Sequence, residues 1–311
     1  MPRALILAVA TALVLAIPVL LGEGYLIQVL NIALLNAMVV LGLNFVTGWT
    51  GQINFGQAAF YGLGAYTTGI ATLAGLPWIA APFLSGLVAA VASLVLGAPT
   101  LRLRSYYLAM TTIGFGEIVR LVLIHWDGVT GGSSGLRAIP PISLFGQRIE
   151  TQVSSFYLLA LVLAVATLFA ARLRGSSFGR AMVATNDSEI AAELSGIDTI
   201  RTKILALTLG AIYAGVAGCL FASTIRYISP DSFTNQHAVL LLTMLIIGGT
   251  GSIPGAIAGA IGLTLLPEAL RFLGQWYLVL YGIGVIAMVV FLPGGLAAGT
   301  TLLVRRLRPA R

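Results

Sequence analysis

Residues 26–47 read LIQVLNIALLNAMVVLGLNFVT, a run of 22 residues without a charged side chain. About 20 consecutive apolar residues are enough for a helix to cross the hydrocarbon core of a bilayer. Unpaired backbone groups cost several kcal/mol in hydrocarbon, so a segment this apolar must be a helix rather than an open strand. The stretch therefore predicts a transmembrane helix.

Nine further apolar stretches predict an all-α, polytopic membrane bundle of about 8–10 transmembrane helices. They cover residues 4–21, 55–75, 79–99, 107–126, 156–171, 204–223, 238–248, 253–270 and 276–292. Hydrophobic residues make up 58% of the chain, charged residues 9%, and the mean hydropathy is +0.99. We expect one transmembrane domain over residues 1–311, with a retained first helix rather than a cleaved signal peptide. The glycine-rich stretch 55–75 and the short stretch 238–248 could be broken or re-entrant.

Basic residues predict the orientation of this bundle. With the N-terminus inside, ten crossings place twelve basic residues on the cytoplasmic side and four outside, as the positive-inside rule describes. The inner set is Arg3, Arg102, Arg104, Arg172, Arg174, Arg180, Arg201, Lys203, Arg305, Arg306, Arg308 and Arg311, and the outer set is Arg137, Arg148, Arg226 and Arg271. We therefore expect a bacterial-type cytoplasmic (inner) membrane, with cytoplasmic termini and an extracytoplasmic loop at about 127–151. The net charge of +7 then reflects topology and contact with anionic lipid, not nucleic-acid binding.

The segment 172–203 carries nine of the 27 charged residues. Asn186 and Glu189 have the spacing of a capping box, in which each side chain satisfies a free backbone N–H at a helix start. Gly196 can adopt the left-handed conformation that ends a helix. These signals predict a helix of about nine residues, too short to be stable alone in water. We therefore expect another surface to pack on it.

The predicted helix has an apolar face and an acidic face. Ile190, Leu194 and Ile197 recur at i, i+4 and i+7, and Glu189 and Glu193 recur at i and i+4. An apolar ridge with an acidic edge fits a groove on a partner protein. A helix lying on the bilayer or on the protein's own spans would show the same pattern, so both interpretations stay open.

Residues 179–182, GRAM, and 186–197, NDSEIAAELSGI, resemble the cytoplasmic EAA loop of ABC importer permeases in its LivM-type, branched-chain amino acid form. Glu189 lies seven residues before Gly196, where the generic pattern has six. Residues 44–68, NFVTGWTGQINFGQAAFYGLGAYTT, and 101–135 are similar to two further segments of that family. The resemblance implies a coupling helix that docks into an ATPase subunit. Its implied coupling residues are Gly179, Arg180, Asn186, Glu189, Ile190, Ala192, Glu193, Leu194 and Gly196.

The same resemblance implies a function and a set of partners. The chain would be the permease subunit of an ATP-driven importer for branched-chain, apolar amino acids that works by alternating access. A second, related permease subunit, two ATPase subunits that bind the ATP and an extracytoplasmic amino-acid-binding protein would complete it. A permease for urea or short-chain amides looks very similar, and an autonomous ion-coupled transporter is a third interpretation.

Polar residues at predicted membrane depth are candidates for the translocation path. They are the amides Asn44, Gln52, Asn54 and Gln57 and the pair Glu117 and Arg120, three residues apart in one apolar run. Polar groups at this depth are tolerated only against protein or a wet cavity. The amides could instead form hydrogen bonds between helices. The ion pair could instead neutralise itself locally, with no role in transport.

A faint internal repeat has a period of 200 residues. Gly48, Thr50, Gly51, Ile53, Ala58, Gly62 and Leu63 recur as Gly248, Thr250, Gly251, Ile253, Ala258, Gly262 and Leu263. Repeats in transporters often meet around the substrate path, and here both copies would begin on the same side of the membrane. Coincidence is the alternative in a chain with 37 glycines.

Motifs for other functions are missing from the sequence. Lys203, the single lysine, follows Thr202 and not the glycine of a P-loop, so the chain is not expected to be the ATPase. His125, His237 and Cys219 form no spaced set of metal ligands. We expect a transporter subunit, not an enzyme, with no cofactor or metal bound by this chain.

Overall fold

The computed structural model describes residues 24–100, 105–144 and 147–271, with isolated positions at 18, 22, 282–284, 286, 295 and 296. Most of these residues are helical. The α-helices are α1 (Tyr25–Leu43), α2 (Gln57–Leu73), α3 (Ala81–Thr100), α4 (Ser105–His125), α5 (Asp127–Thr130), α6 (Gln152–Gly175), α7 (Ser177–Asp187), α8 (Glu189–Leu194), α9 (Thr199–Ile225), α10 (Asn235–Gly248) and α11 (Ile253–Ala269). Five segments are long and apolar enough to cross a membrane: Tyr25–Gly48, Trp78–Gly97, Tyr107–His125, Gln152–Gly175 and Thr199–Ile225. This confirms a polytopic helical membrane protein.

The helices follow the predicted apolar stretches. The stretches 4–21 and 276–292 lie outside the described residues, apart from isolated positions, and the other eight are helical over most of their length. α2 is continuous over 17 residues despite its glycines. The irregular backbone instead precedes α2: α1 continues as the π-helix Asn44–Gly48, and residues 51–55 have no regular structure.

α9 is the central helix of the described bundle and packs against α1, α2 and α3. Glycines make this packing close. A Cβ on Gly64 would overlap the carbonyl oxygen of Gly215 and lie 2.5 Å from its Cα. A Cβ on Gly218 would lie 2.7 Å from the backbone nitrogen of Ala65. α2 and α9 therefore meet backbone to backbone, as small residues allow in membrane bundles.

The segment between α4 and α6 closes one end of the bundle with α5 and two short antiparallel strand pairs. β2 (Ile142–Leu144) pairs with β3 (Gln147–Ile149), and β1 (Leu136–Arg137) pairs with β4 (Tyr227–Ile228), which follows α9. The segment is turn-rich and small, as its composition predicted. α7 and α8 connect the other ends of α6 and α9, so they lie at the opposite end of the bundle.

The outer surface of the bundle is strongly apolar. Phe83, Leu87 and Val95 are exposed on α3, and Leu161 and Val165 are exposed on α6. Contiguous apolar surface of this kind is unusual on soluble monomers. It fits helices whose outer faces contact lipid or other membrane subunits.

Candidate coupling segment and polar clusters

α8 begins differently from the sequence prediction. Asn186 lies in the last turn of α7, and Ser188 is the N-cap of α8, with its hydroxyl accepting a hydrogen bond from the Ala191 N–H at 3.3 Å. The predicted capping box of Asn186 and Glu189 is therefore wrong, and the helix has six residues rather than about nine. Serine and asparagine are comparably good N-caps, so local preference does not decide between them. The choice of Ser188 as the N-cap follows from the end of α7 at Asp187.

The end of α8 confirms the role expected of Gly196. Its φ of +83° is the left-handed conformation that glycine adopts readily. The N–H of Gly196 donates to the Glu193 carbonyl at 2.9 Å, and the N–H of Ile197 donates to the Ala192 carbonyl at 3.0 Å. These two bonds form a Schellman motif, which satisfies the free carbonyls at the helix end.

Both acidic residues of α8 bind the start of α9. The Glu189 carboxylate forms an ion pair with the ammonium group of Lys203. Glu193 Oε1 accepts a hydrogen bond from Thr199 Oγ1 at 2.8 Å. The two glutamates therefore hold α8 in place, and they are not free acidic groups on its surface.

The apolar side chains of α8 point away from the described protein. Ile190 is 73% exposed and Leu194 is 85% exposed, whereas Ala192 is buried against the protein. Ile197 is only partly exposed and lines a cavity of about 590 Å³ between α7 and the start of α9. The predicted ridge of three residues is thus reduced to Ile190 and Leu194. This pair does not pack on the described spans.

Gly179 and Arg180 form the corner between α6 and α7. A Cβ on Gly179 would lie 2.6 Å from the Cα of Arg174, so the two helices touch through this glycine. The Arg180 guanidinium donates to the Gly175 carbonyl at 2.8 Å. Ser176 caps α7, since its hydroxyl accepts from the Gly179 N–H. The direction in which α7 leaves α6 therefore depends on these local contacts.

The four predicted path amides, Asn44, Gln52, Asn54 and Gln57, are all buried around the start of α2. Gln57 Nε2 donates to the carbonyl of Gly210 at 2.9 Å and to that of Val39 at 3.3 Å, so it joins α2 to α9 and α1. Asn54 Oδ1 accepts from the Gly56 N–H at 2.8 Å. Hydrogen bonding between helices explains Gln57, and a role in the path stays a prediction for all four.

Glu117 and Arg120 lie apart from these amides, near the opposite end of the bundle. Arg120 binds Glu117 at 3.1 Å and also Asp231 at 3.1 Å, in the segment between α9 and α10. Asn235 Nδ2 donates to the second oxygen of Glu117 at 3.3 Å. The sequence analysis missed Asp231 and Asn235 because they are more than 100 residues away. The predicted path residues thus form two separate clusters.

The two copies of the internal repeat touch each other at the α7–α8 end. Gly48 and Gly251 are in such close contact that a Cβ on Gly48 would lie 2.5 Å from the Gly251 nitrogen. Gly51 and Gly251 share a left-handed backbone, with φ of +71° and +80°. Each copy therefore has a similar left-handed turn, and the two turns lie at the same end of the bundle, as the predicted parallel arrangement requires.

Residues 25–292 match the family described as branched-chain amino acid transport system, permease component. The chain belongs to this family. It is 34% identical to the high-affinity branched-chain amino acid transport system permease protein LivM of Escherichia coli K12, over 94% of this chain and 74% of the relative. LivM of Salmonella typhimurium LT2 gives the same identity and the same coverage. The autoinducer 2 import system permease protein LsrC of Yersinia pseudotuberculosis serotype O:3 is 28% identical over 78% of this chain and 70% of that protein.

As a permease, the chain is a transporter subunit and not an enzyme, in agreement with the sequence analysis. The family and its relatives do not favour the urea or short-chain amide alternative. No solved structure matches the chain.

Proposed function

We propose that this permease is the membrane-spanning subunit of an ATP-driven importer for branched-chain amino acids, and that an ATPase subunit docks on α8. Membership in the permease family and 34% identity to LivM support the substrate class. The positive-inside asymmetry supports a cytoplasmic position for α7, α8 and both termini, in a bacterial-type inner membrane. The permease binds no cofactor in this proposal, because ATP is bound by the partner subunits.

The observation that carries this proposal is that α8 binds the protein through one set of side chains and exposes another set. Glu189 and Glu193 bind α9, while Ile190 and Leu194 remain exposed on the far side. A helix of six residues has little stability of its own, so these contacts must hold it in a defined position. A positioned helix with two exposed large apolar side chains is suited to insertion into a groove of another protein.

The proposed mechanism is alternating access driven from this helix. Closure of the ATPase dimer on ATP displaces α8, and α7 passes the displacement to the membrane helices. ATP can drive this change only if the ATPase binds the two conformations of the permease with unequal affinity. A second, related permease subunit and an extracytoplasmic amino-acid-binding protein complete the importer. The small segment between α4 and α6 lies at the end where that binding protein would deliver its ligand.

The test compares Leu194→Glu with the matched control Val129→Glu. Both replace an exposed apolar residue with the same charge, but Val129 lies in α5 at the opposite end of the bundle. Full burial of a leucine side chain contributes about 1.5–3 kcal/mol. We therefore expect Leu194→Glu to lower co-purification of the ATPase and leucine uptake by the reconstituted complex at least about tenfold.

The control should leave co-purification of the ATPase unchanged. Normal ATPase binding and uptake by Leu194→Glu would refute docking on α8. Loss of ATPase binding in Val129→Glu alone would place the ATPase at the wrong end of the bundle and refute the proposed orientation. Competition of leucine uptake by isoleucine and valine, but not by urea, tests the substrate class.

A further inference from the structure

The backbone of Gly251, in the second copy of the repeat, faces the first copy, and side chains bind both its N–H and its carbonyl oxygen. Its N–H donates to Asn44 Oδ1 at 2.8 Å. Its carbonyl oxygen accepts from Trp49 Nε1 at 3.3 Å and also from the Arg174 guanidinium. Asn44 and Trp49 are fully buried residues at the end of α1, whereas Arg174 reaches the carbonyl from the last turn of α6.

Arg174 also contacts the aromatic ring of Trp49. Its guanidinium carbon lies 5.8 Å from the ring centroid, within the range of a cation–π interaction. One arginine side chain thus contacts both the end of α1 and the turn between α10 and α11. Arginine is suited to this role because its planar group can donate hydrogen bonds and stack on a ring at the same time.

Two glycine turns, one containing Gly48 and Gly51 and the other containing Gly251, are contacted from the end of α7 and from the end of α6, respectively. Arg174 lies three residues before the first residue of α7, and Asn186 lies in its last turn. Asn186 Nδ2 makes a long hydrogen bond of 3.5 Å to the Gly48 carbonyl. A Cβ on Gly51 would overlap Asn186 Oδ1 and lie 3.1 Å from its Cγ. α8 follows α7 directly, so a displacement of α8 reaches the turn of Gly48 and Gly51 through α7, and the turn of Gly251 through α7 and the last turn of α6.

We infer that Arg174 is a positioning residue that transmits movement of α7 and α8 to the membrane helices through the carbonyl group of Gly251. The inference rests on the proposed docking of an ATPase on α8. In this inference, the displacement of α7 and α8 is passed to α1, α10 and α11 at the two glycine turns. It also gives Asn44 a role in holding the N–H of the same residue.

The test uses the assembled importer in liposomes and compares Arg174→Gln with Arg174→Lys and Arg172→Gln. Arg172 is the matched control, because it lies in the same last turn and the described residues offer it no hydrogen-bond or ion-pair partner. Uptake per ATP hydrolysed is one measurement. The second is the thiol-labelling rate of a cysteine at the exposed position Thr250, in a Cys219→Ala background, with and without ATP.

We expect ATP to change the labelling rate at position 250 when Arg174 is present. Arg174→Gln should abolish this change and lower uptake per ATP about tenfold, while the ATPase still co-purifies and hydrolyses ATP. Arg174→Lys should give an intermediate value, since lysine keeps the charge but not the planar donor group. Arg172→Gln should behave like the unsubstituted importer.

Two results would overturn the inference. One is an Arg174→Gln importer with normal uptake per ATP and a normal ATP-dependent change in labelling. The other is an equal loss in Arg172→Gln, which would indicate a general effect of basic charge. If ATP has no effect on labelling even with Arg174 present and the ATPase does not co-purify, the docking proposal fails, and this inference fails with it.

Discussion

Replacing Glu189 with glutamine should loosen the attachment of α8 to α9. The substitution removes the negative charge that pairs with the ammonium group of Lys203, at the first turns of α9. The hydrogen bond from Thr199 to Glu193, at 2.8 Å, remains. The variant thus breaks one of the two side-chain contacts between these helices and leaves a buried amine without its anionic partner.

The expected magnitude follows from the burial of the two partners. Exposed ion pairs contribute about 0–1 kcal/mol, whereas removing one partner of a buried pair costs about 3–5 kcal/mol. The side chain of Lys203 is only 9% exposed, but that of Glu189 is 49% exposed, so solvent screens the pair in part. We therefore expect an intermediate cost of about 2 kcal/mol. At about 1.4 kcal/mol for each factor of ten, the population with α8 detached should rise roughly 30-fold.

The assay exploits the fact that Lys203 is the only lysine in the chain. Amine-reactive labelling of the purified permease in lipid nanodiscs, read by mass spectrometry, reports this side chain separately from the N-terminus. Labelling through the open population should accelerate by roughly the same 30-fold factor. Asp187→Asn is the control, because it removes a carboxylate two residues from Glu189 that has no ion-pair partner among the described residues. It should change the labelling rate less than about twofold. Equal labelling rates in Glu189→Gln and the unsubstituted permease would refute the reasoning.

Two further predictions concern helix packing and orientation. Gly64→Ala should destabilise the permease by about 2 kcal/mol in SDS unfolding, because forcing two backbones apart outweighs the roughly 1 kcal/mol gained in helix propensity. Gly114→Ala is the control, because a Cβ there meets no atom within 4 Å, and it should leave the free energy of unfolding unchanged or raise it. Equal effects of the two substitutions would contradict the α2–α9 contact. In a Cys219→Ala background, cysteines at Ser188 and Ser134 should react with an impermeant thiol reagent from opposite sides of the membrane, and labelling of both from outside would disprove the orientation.

Much of the helical architecture could be predicted, because a bilayer imposes a length and a hydrogen-bonding rule on each segment separately. The stretch 26–47 needs no partner to be recognised as a membrane helix. The end of α8 was also predictable, since the preference of Gly196 for a left-handed conformation is local. The start of α8 was not. Asn186 and Ser188 are both good caps, and α7 extends to Asp187 with Asn186 packed against Gly51.

The amino-acid sequence alone determined the class of protein and its family, and it located the charged segment 172–203 that we propose for coupling. Each of these depends on composition or on residues close together in the chain. Only the tertiary structure decided which residues bind one another across long separations: Asn44 and Trp49 with Gly251, Arg120 with Asp231, and the glutamates of α8 with α9. A polar side chain at membrane depth must find a partner, but its sequence neighbours do not say which one. That choice depends on which helices pack together, and here the close contacts of α9 with α1, α2 and α3 determine much of it.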